Sequence, residues 1–390
     1  MRGDACLYDV IIAGAGLVGA SLALALKNSG LHLALVESHE PARDDQTGWD
    51  KRIYALSPGT ASFLDGCGVW QRLDSARITP ITEMQVYGDD GASRLDFSAY
   101  DCGLPELAFT AENRQLQQAM RQQLEAQQNL TLIYPGECEA IEWAAKQISL
   151  RLKDSSHIDA KLLVGADGGD SRVRELAGIE AKRHPYSQLA VVANFEAEKP
   201  HHNIAYQWFR EDGVLAYLPL PEKRVSIVWS TGENHAQRLL ALTQEEFCSE
   251  VAQAGGHALG ELRSITPRAA FPLRLLRVER LVNPRIALIG DAAHVVHPLA
   301  GQGVNLGFRD VRVLADTLMN RGMQADCGDY RLLRRYERAR KEDILTMQLA
   351  THGLQRLFSN PWLSGLRNFG LRLTNGLPQI KSFLVQRALN

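Results

Sequence analysis

The chain has 390 residues, 45% of them hydrophobic and 23% charged, with a formal net charge of −2. This is an ordinary globular composition, long enough for about two domains, and its near-neutral balance gives no electrostatic case for nucleic acid or an acidic partner. The six cysteines (Cys6, Cys67, Cys102, Cys138, Cys248 and Cys327) form no CxxC pair, which argues against a zinc ribbon or a dithiol redox centre and for reduced thiols in a cytosolic protein.

Residues 10–26, VIIAGAGLVGASLALAL, carry no charge. A signal or membrane segment is one reading, but Asp4 and Asp9 beside a lone Arg2 make a poor positive leader, and the run is short for a membrane span. A second reading explains its glycines. Residues 8–13 are an apolar strand, Gly14-x-Gly16-x-x-Gly19 follows at once, and a helix runs to about Asn28. Gly14 permits the tight turn, Gly16 lets the backbone approach a pyrophosphate, and Gly19 brings helix and strand together. The free N–H groups at the helix start favour the anion. The next strand, HLALVES, ends in Glu37, 23 residues after Gly14, where an acid can bond ribose hydroxyls. An acid there suits NAD or FAD rather than NADP and does not separate the first two.

Further along, DKRIYALSPGTASFL reads as a loop entering a helix, with Arg52 either a surface charge or a phosphate or flavin contact. ENRQLQQAMRQQLEAQ is an amphipathic helix with Leu116, Met120 and Leu124 on one face. Arg114 lies at its start, where the helix dipole disfavours a cation, and that conflict points to a ligand. AKLLVGADGGDSRVREL is a strand leading into a helix. Asp167, at the strand's carboxyl end, is either a ligand contact or a helix-entry residue. From about 183 to 271 the chain turns to short strands rich in Val, Ile, Tyr and Trp, the pattern of an antiparallel sheet, to which residues 81–90 add a strand. Tyr217 and Pro219 lie on that sheet as unoriented candidates for a substrate pocket.

PRIALIGDAAH then returns to the buried-strand pattern, and a helix covers about 306–319. The expected fold class is therefore α/β: a discontinuous Rossmann-like domain (1–78, 105–182 and 272–345), an inserted antiparallel sheet domain for substrate (79–104 and 183–271), and a helical C-terminal segment (346–390). In GDAAHVVHPLAGQGVN, Asp291, His294 and His297 stand three residues apart. A metal would need a converging, deprotonated set, and Pro298 breaks any helix that would align the histidines. No metal site is expected, and the histidines are read as shaping the turn. No nucleophile motif is present, and no catalytic side chain is assigned.

GAGLVG, Glu37, GADGGDSRVR and GDAAHVVHPLAGQGVNLGFRD in this order resemble the FAD-dependent aromatic hydroxylases, single-component flavoprotein monooxygenases. The last motif is most similar to the subgroup that hydroxylates polyprenylated rings in ubiquinone biosynthesis. The resemblance implies that Gly14, Gly16, Gly19 and Glu37 bind the ADP half of FAD. It makes Arg52, and less directly Arg114, flavin-side contacts, and Asp167 a contact to FAD and the nicotinamide donor. Asp291 would bind the ribityl chain, and the loop of Pro298, Gly301, Gln302, Gly303, Val304 and Asn305 would lie against the isoalloxazine. The following helix N-terminus favours the negative charge of reduced flavin. The implied reaction uses NAD(P)H and O2 to place one oxygen atom on an electron-rich, hydrophobic ring, in a site that excludes water. Two-Rossmann disulfide reductases carry a second GxGxxG and a redox cysteine pair, and this chain has neither. A related flavin reductase acting on a prenyl substrate is the alternative, ahead of a non-enzymatic flavin binder.

After Asp343 no acidic residue occurs, while Arg356, Arg367, Arg372, Lys381 and Arg387 alternate with Leu, Phe and Trp. Residues 344–390 are either packed helices with solvated arginines or a peripheral contact to an anionic membrane. The expected location is cytoplasmic, with that contact on the membrane's inner face. The expected partners are a homo-oligomer copy or other quinone-biosynthesis proteins.

Overall fold

The computed structural model describes residues 7–40, 48–90, 93–297, 303–322 and 325–359. Its first sheet places strand Tyr8–Ala13 between Leu33–Val36 and His157–Gly165, with Leu130–Ile133 and Ile286–Leu288 outside them. These five strands are parallel, in register through Ile12, Leu35 and Val164. Val10, Ile11 and Ile12 are all fully buried, as a strand covered on both faces requires. Helix Leu17–Ala25 packs between helices Asn113–Glu125 and Gly303–Met319 on this sheet. The chain moves outward from Tyr8–Ala13 to one side, then returns to the other at His157–Gly165. Gly14 and Asp167 thus lie at the carboxyl ends of two strands where the winding reverses, the place such sheets bind ligands. Residues 10–26 are strand, turn and helix, and no helix among the described residues is long and apolar enough to cross a membrane.

The second sheet runs His294–Val295, Ala269–Val278, Ala181–Ala197, Arg224–Gly232, Gly213–Leu220, Ile204–Arg210, Glu83–Tyr87 and Arg94–Ser98. The expected strand near 81–90 is present, but it pairs parallel with Ile204–Arg210 rather than antiparallel. It reaches the sheet from the first region, not through a hairpin, so no tight turn fixes its direction. Leu215, Tyr217, Ile227, Trp229 and Phe195 alternate onto one face and pack under Phe247 and Val251 of helix Gln244–Ala254. Tyr217 donates its hydroxyl hydrogen to Val251 O at 2.6 Å, so it is a core residue of this layer and faces away from the cleft. The opposite face carries Asn194, Ser226 and Ser230, and strand Gly213–Leu220 lies against a small third sheet of Ile53–Leu56, Ala108–Glu112 and Thr79–Ile81. Asn194 Nδ2 donates to Asp50 O (2.7 Å) and Thr110 Oγ1 to Pro219 O (2.6 Å) across that junction. Strands Ala181–Ala197 and Ala269–Val278 run through both regions, so the boundaries expected at 182/183 and 271/272 fall inside strands.

Candidate cofactor site

After strand Tyr8–Ala13 the glycines make a tight, closely packed turn. Gly14 adopts φ +105°, and a Cβ there would lie 2.4 Å from Ala166 O. A Cβ on Gly19 would lie 1.9 Å from Gly14 O, whereas Gly16 faces open space. Glu37 Oε2 accepts the Ala15 N–H at 2.8 Å, while Oε1 accepts the Ser38 N–H, also at 2.8 Å. The carboxylate therefore braces the turn as well as facing the cleft. Gly16, Glu37, Asp50, Arg114 and Tyr134 line a cavity of about 440 Å³. Arg114 stays at its helix start because its main-chain N–H donates to Asp50 Oδ2 (2.9 Å) and its guanidinium to Gly48 O.

Asp291 follows strand Ile286–Leu288, and its carboxylate accepts no hydrogen bond from any described residue. It is open to solvent but walled in by protein. The protein crowded around the carboxyl takes away part of its water and pushes it above the usual range, against the pull of His294, Arg274 and Arg52. Arg52 is exposed, 5.2 Å from the Phe271 ring centroid. Gly303 opens helix Gly303–Met319 and also faces open space, and Val304 packs on the first core. Pro298, Gly301 and Gln302 lie outside the described residues.

Two expected contacts are committed to the fold. Asp167 accepts from Ser171 Oγ (2.5 Å) and from Val173 N (3.0 Å), bracing helix Arg172–Leu176. Asn305 is fully buried; it accepts the Ser57 N–H at 3.0 Å and donates to Ala55 O at 2.8 Å. The three spaced residues do not converge on a metal either. His294 Nε2 meets Asp310 Oδ2 at 2.6 Å, and His297 Nε2 meets Gln188 Oε1 at 3.1 Å. The two histidines do brace the turn, each through a partner that sequence reading missed. His297 stands edge-on to Tyr186, ring centroids 4.9 Å apart, and burial pushes its pKa down to about 4. With Gln188, Val214 and Ser230 it lines a second cavity of about 750 Å³ beside the polar face of the second sheet.

Sequence reading also missed Arg174, Asp310 and Arg340. Buried Arg174 donates to Ala292 O (2.9 Å) and Gly169 O (3.0 Å), tying the loop of Asp291 to that of Asp167. Asp310 and Arg340 had a detectable signal: each interrupts an apolar helix stripe. Asp310 falls between Leu306 and Leu314, and Arg340 between Tyr336 and Ile344. A charge at such a position needs a buried partner, and here each is the other's, Arg340 Nε to Asp310 Oδ1 at 2.7 Å.

A family model described as an FAD binding domain matches residues 7–347. The chain belongs to this FAD-binding family. Ubiquinone hydroxylase UbiL of Rhodospirillum rubrum is 35% identical over 384 residues, covering 98% of this chain and 89% of that protein. The 3-demethoxyubiquinol 3-hydroxylase of Escherichia coli is 36% identical over 389 residues, 98% of each chain. Among solved structures, PqsL of Pseudomonas aeruginosa matches with a TM-score of 0.79 at 24% identity, over 93% of this chain and 99% of that one. That likeness speaks to the fold. For an FAD-binding chain the cleft's chemistry is apt: open backbone at Gly16 for a pyrophosphate, and a carboxylate without a donor at Asp291 for a hydroxylated chain.

Proposed function

We propose that this protein is a flavoprotein monooxygenase that uses NAD(P)H and O2 to hydroxylate an aromatic ring, a polyprenylated phenol intermediate of ubiquinone biosynthesis. The observation that carries this reading is the chain-long similarity to two ubiquinone-pathway hydroxylases. FAD, when bound, supplies the electron transfer and oxygen activation that no side chain here can perform. The protein's share is binding and enclosure. Gly14, Gly16 and Gly19 admit the pyrophosphate to the helix start, and Glu37 and Arg114 hold the nucleotide half. Asp291 accepts from the ribityl hydroxyls, with Arg52 at the flavin edge. Asp167 acts by fixing its loop for FAD and the nicotinamide donor. Gly303 and Val304 would face the ring system, with Asn305 bracing them from behind through Ser57 and Ala55. With the two regions taken as domains, the substrate ring enters the cavity beside His297, whose other walls come from the second sheet and the helix after it.

The test is to reduce the purified yellow protein with NADH or NADPH without oxygen, admit O2 with prenylated phenols, and seek a product gaining one oxygen by mass spectrometry. Peroxide without a hydroxylated product would favour a flavin reductase acting on prenyl substrates. Accumulation of an under-hydroxylated quinone precursor in cells lacking the protein is the matching result in vivo. The run of cations after Asp343 supports a cytoplasmic protein that touches the inner face of the membrane through residues 344–390, most of which lie outside the described residues. Co-sedimentation with anionic but not neutral vesicles would support this reading. Size-exclusion chromatography would detect a homo-oligomer, and co-purification would detect a complex with other quinone-biosynthesis proteins.

A further inference from the structure

The Asp291 carboxylate accepts no hydrogen bond from any described residue, and its loop is held by other groups. Asp310, fully buried on helix Gly303–Met319, is one of them. Its Oδ2 accepts the Gly290 N–H at 2.9 Å and His294 Nε2 at 2.6 Å. An ionised carboxylate only accepts, so the proton of this last bond sits on Nε2. One carboxylate oxygen thus grips the residue just before Asp291 and another three residues after it. Gly290 has φ +60°, a left-handed conformation that lets the chain turn sharply there.

The grip is backed from a second helix. Arg340, on Tyr330–Ser359, donates Nε to Asp310 Oδ1 at 2.7 Å and Nη1 to Asp343 Oδ2 at 2.6 Å. Asp343 in turn lies 3.4 Å from Arg309 Nη1. The string alternates in sign, which is how charges are kept in a buried place. Burial alone would raise the pKa of Asp310, but His294 and Arg340 outweigh it and hold the carboxyl below the usual range.

We propose that Asp310 and Arg340 are positioning residues that hold the Gly290–His294 loop so that Asp291 stays presented to FAD. This rests on the reading of Asp291 as a cofactor contact. The test strips full-length protein of flavin and titrates it with FAD, following fluorescence quenching and the visible spectrum of the bound flavin. Asp310→Asn and Arg340→Gln are expected to raise the dissociation constant roughly tenfold and to shift the flavin spectrum as Asp291→Asn does. Arg340→Lys, which keeps the charge, should recover part of that loss and stands in if Asp310→Asn does not fold. Tyr336→Phe removes a hydrogen bond from the same helix to Leu288 O, outside the loop. It should lower the melting temperature and leave FAD affinity and spectrum unchanged. The double variant Asp291→Asn/Asp310→Asn decides the matter: affinity no lower than in Asp291→Asn alone supports action through Asp291. Additive losses would overturn the inference while sparing the role of Asp291. An Asp291→Asn protein with parental affinity and spectrum would overturn that role, and the inference with it.

Discussion

Where strand Tyr8–Ala13 turns into its helix, the site is made by omission. Side-chain carbons at Gly14 or Gly19 would collide with backbone, and one at Gly16 would fill space left open. Around Asp291 the site is made by burial. Asp310, His294, Arg340 and Arg174 are all enclosed, and among their hydrogen bonds are ones to the loop's own backbone and to one another. The Gly19–Gly14 contact joins residues five positions apart, while Gly14 is also closed from across the sheet by Ala166, so the turn's shape is set by backbone alone. Buried charge acts through space, so the loop of Asp291 depends on Asp310 and Arg340 from the two helices after it and on Arg174 from far before it.

The contrast can be tested from the strongest effect downward. Gly19→Ala should yield protein that purifies without yellow colour, because the new methyl group would sit 1.9 Å from Gly14 O; absorbance near the flavin bands reads this directly. Arg174→Ala takes the donor from the buried Ala292 carbonyl and from the half-buried Gly169 carbonyl. At about 1–3 kcal/mol for each orphaned group, a loss of about 4 kcal/mol is expected in urea unfolding, together with weaker FAD binding. His297 gives a pH signature. Its folded pKa of about 4 lies below the roughly 6.5 of an unfolded chain. Between those values the unfolded chain binds the proton and the fold does not, so stability falls as pH drops through that window. The loss approaches about 3 kcal/mol near pH 4 and is absent above pH 7. His297→Phe should flatten this slope in denaturation curves compared at pH 4.5 and 7, and an unchanged slope would assign it elsewhere. Glu37→Gln keeps one acceptor for the Ala15 N–H and loses the charge, so FAD affinity should fall by about 1 kcal/mol, the smallest effect of the four.

The same contrast explains what the sequence disclosed. The glycine spacing, the alternating strands of the second sheet and the acid at position 37 are short-range patterns with one mechanical meaning each. Asp167 and Asn305 were harder to read, because a polar residue at a strand end or helix start can face a ligand or close a fold. Here Ser171, Val173, Ser57 and Ala55 take their hydrogen bonds. The parallel pairing of Glu83–Tyr87 could not be read from strand composition, since direction comes from where the chain enters the sheet. Arg340 sits in YERARKED, whose many charges suggest a solvated face, and only its place in the stripe between Tyr336 and Ile344 marks it as buried.

Asn305 closes on Ser57 across 248 positions of sequence. At a synthesis rate of about 5–20 residues per second, roughly 12 to 50 s separate the emergence of these two walls from a ribosome. During that interval the nucleotide end can be complete while the flavin ring has nothing behind it. Cofactor capture is therefore set late in the life of each new chain. Nascent chains stalled before residue 305 should fail to retain FAD in a ribosome-bound flavin fluorescence assay, whereas chains released after the Tyr330–Ser359 helix should hold it.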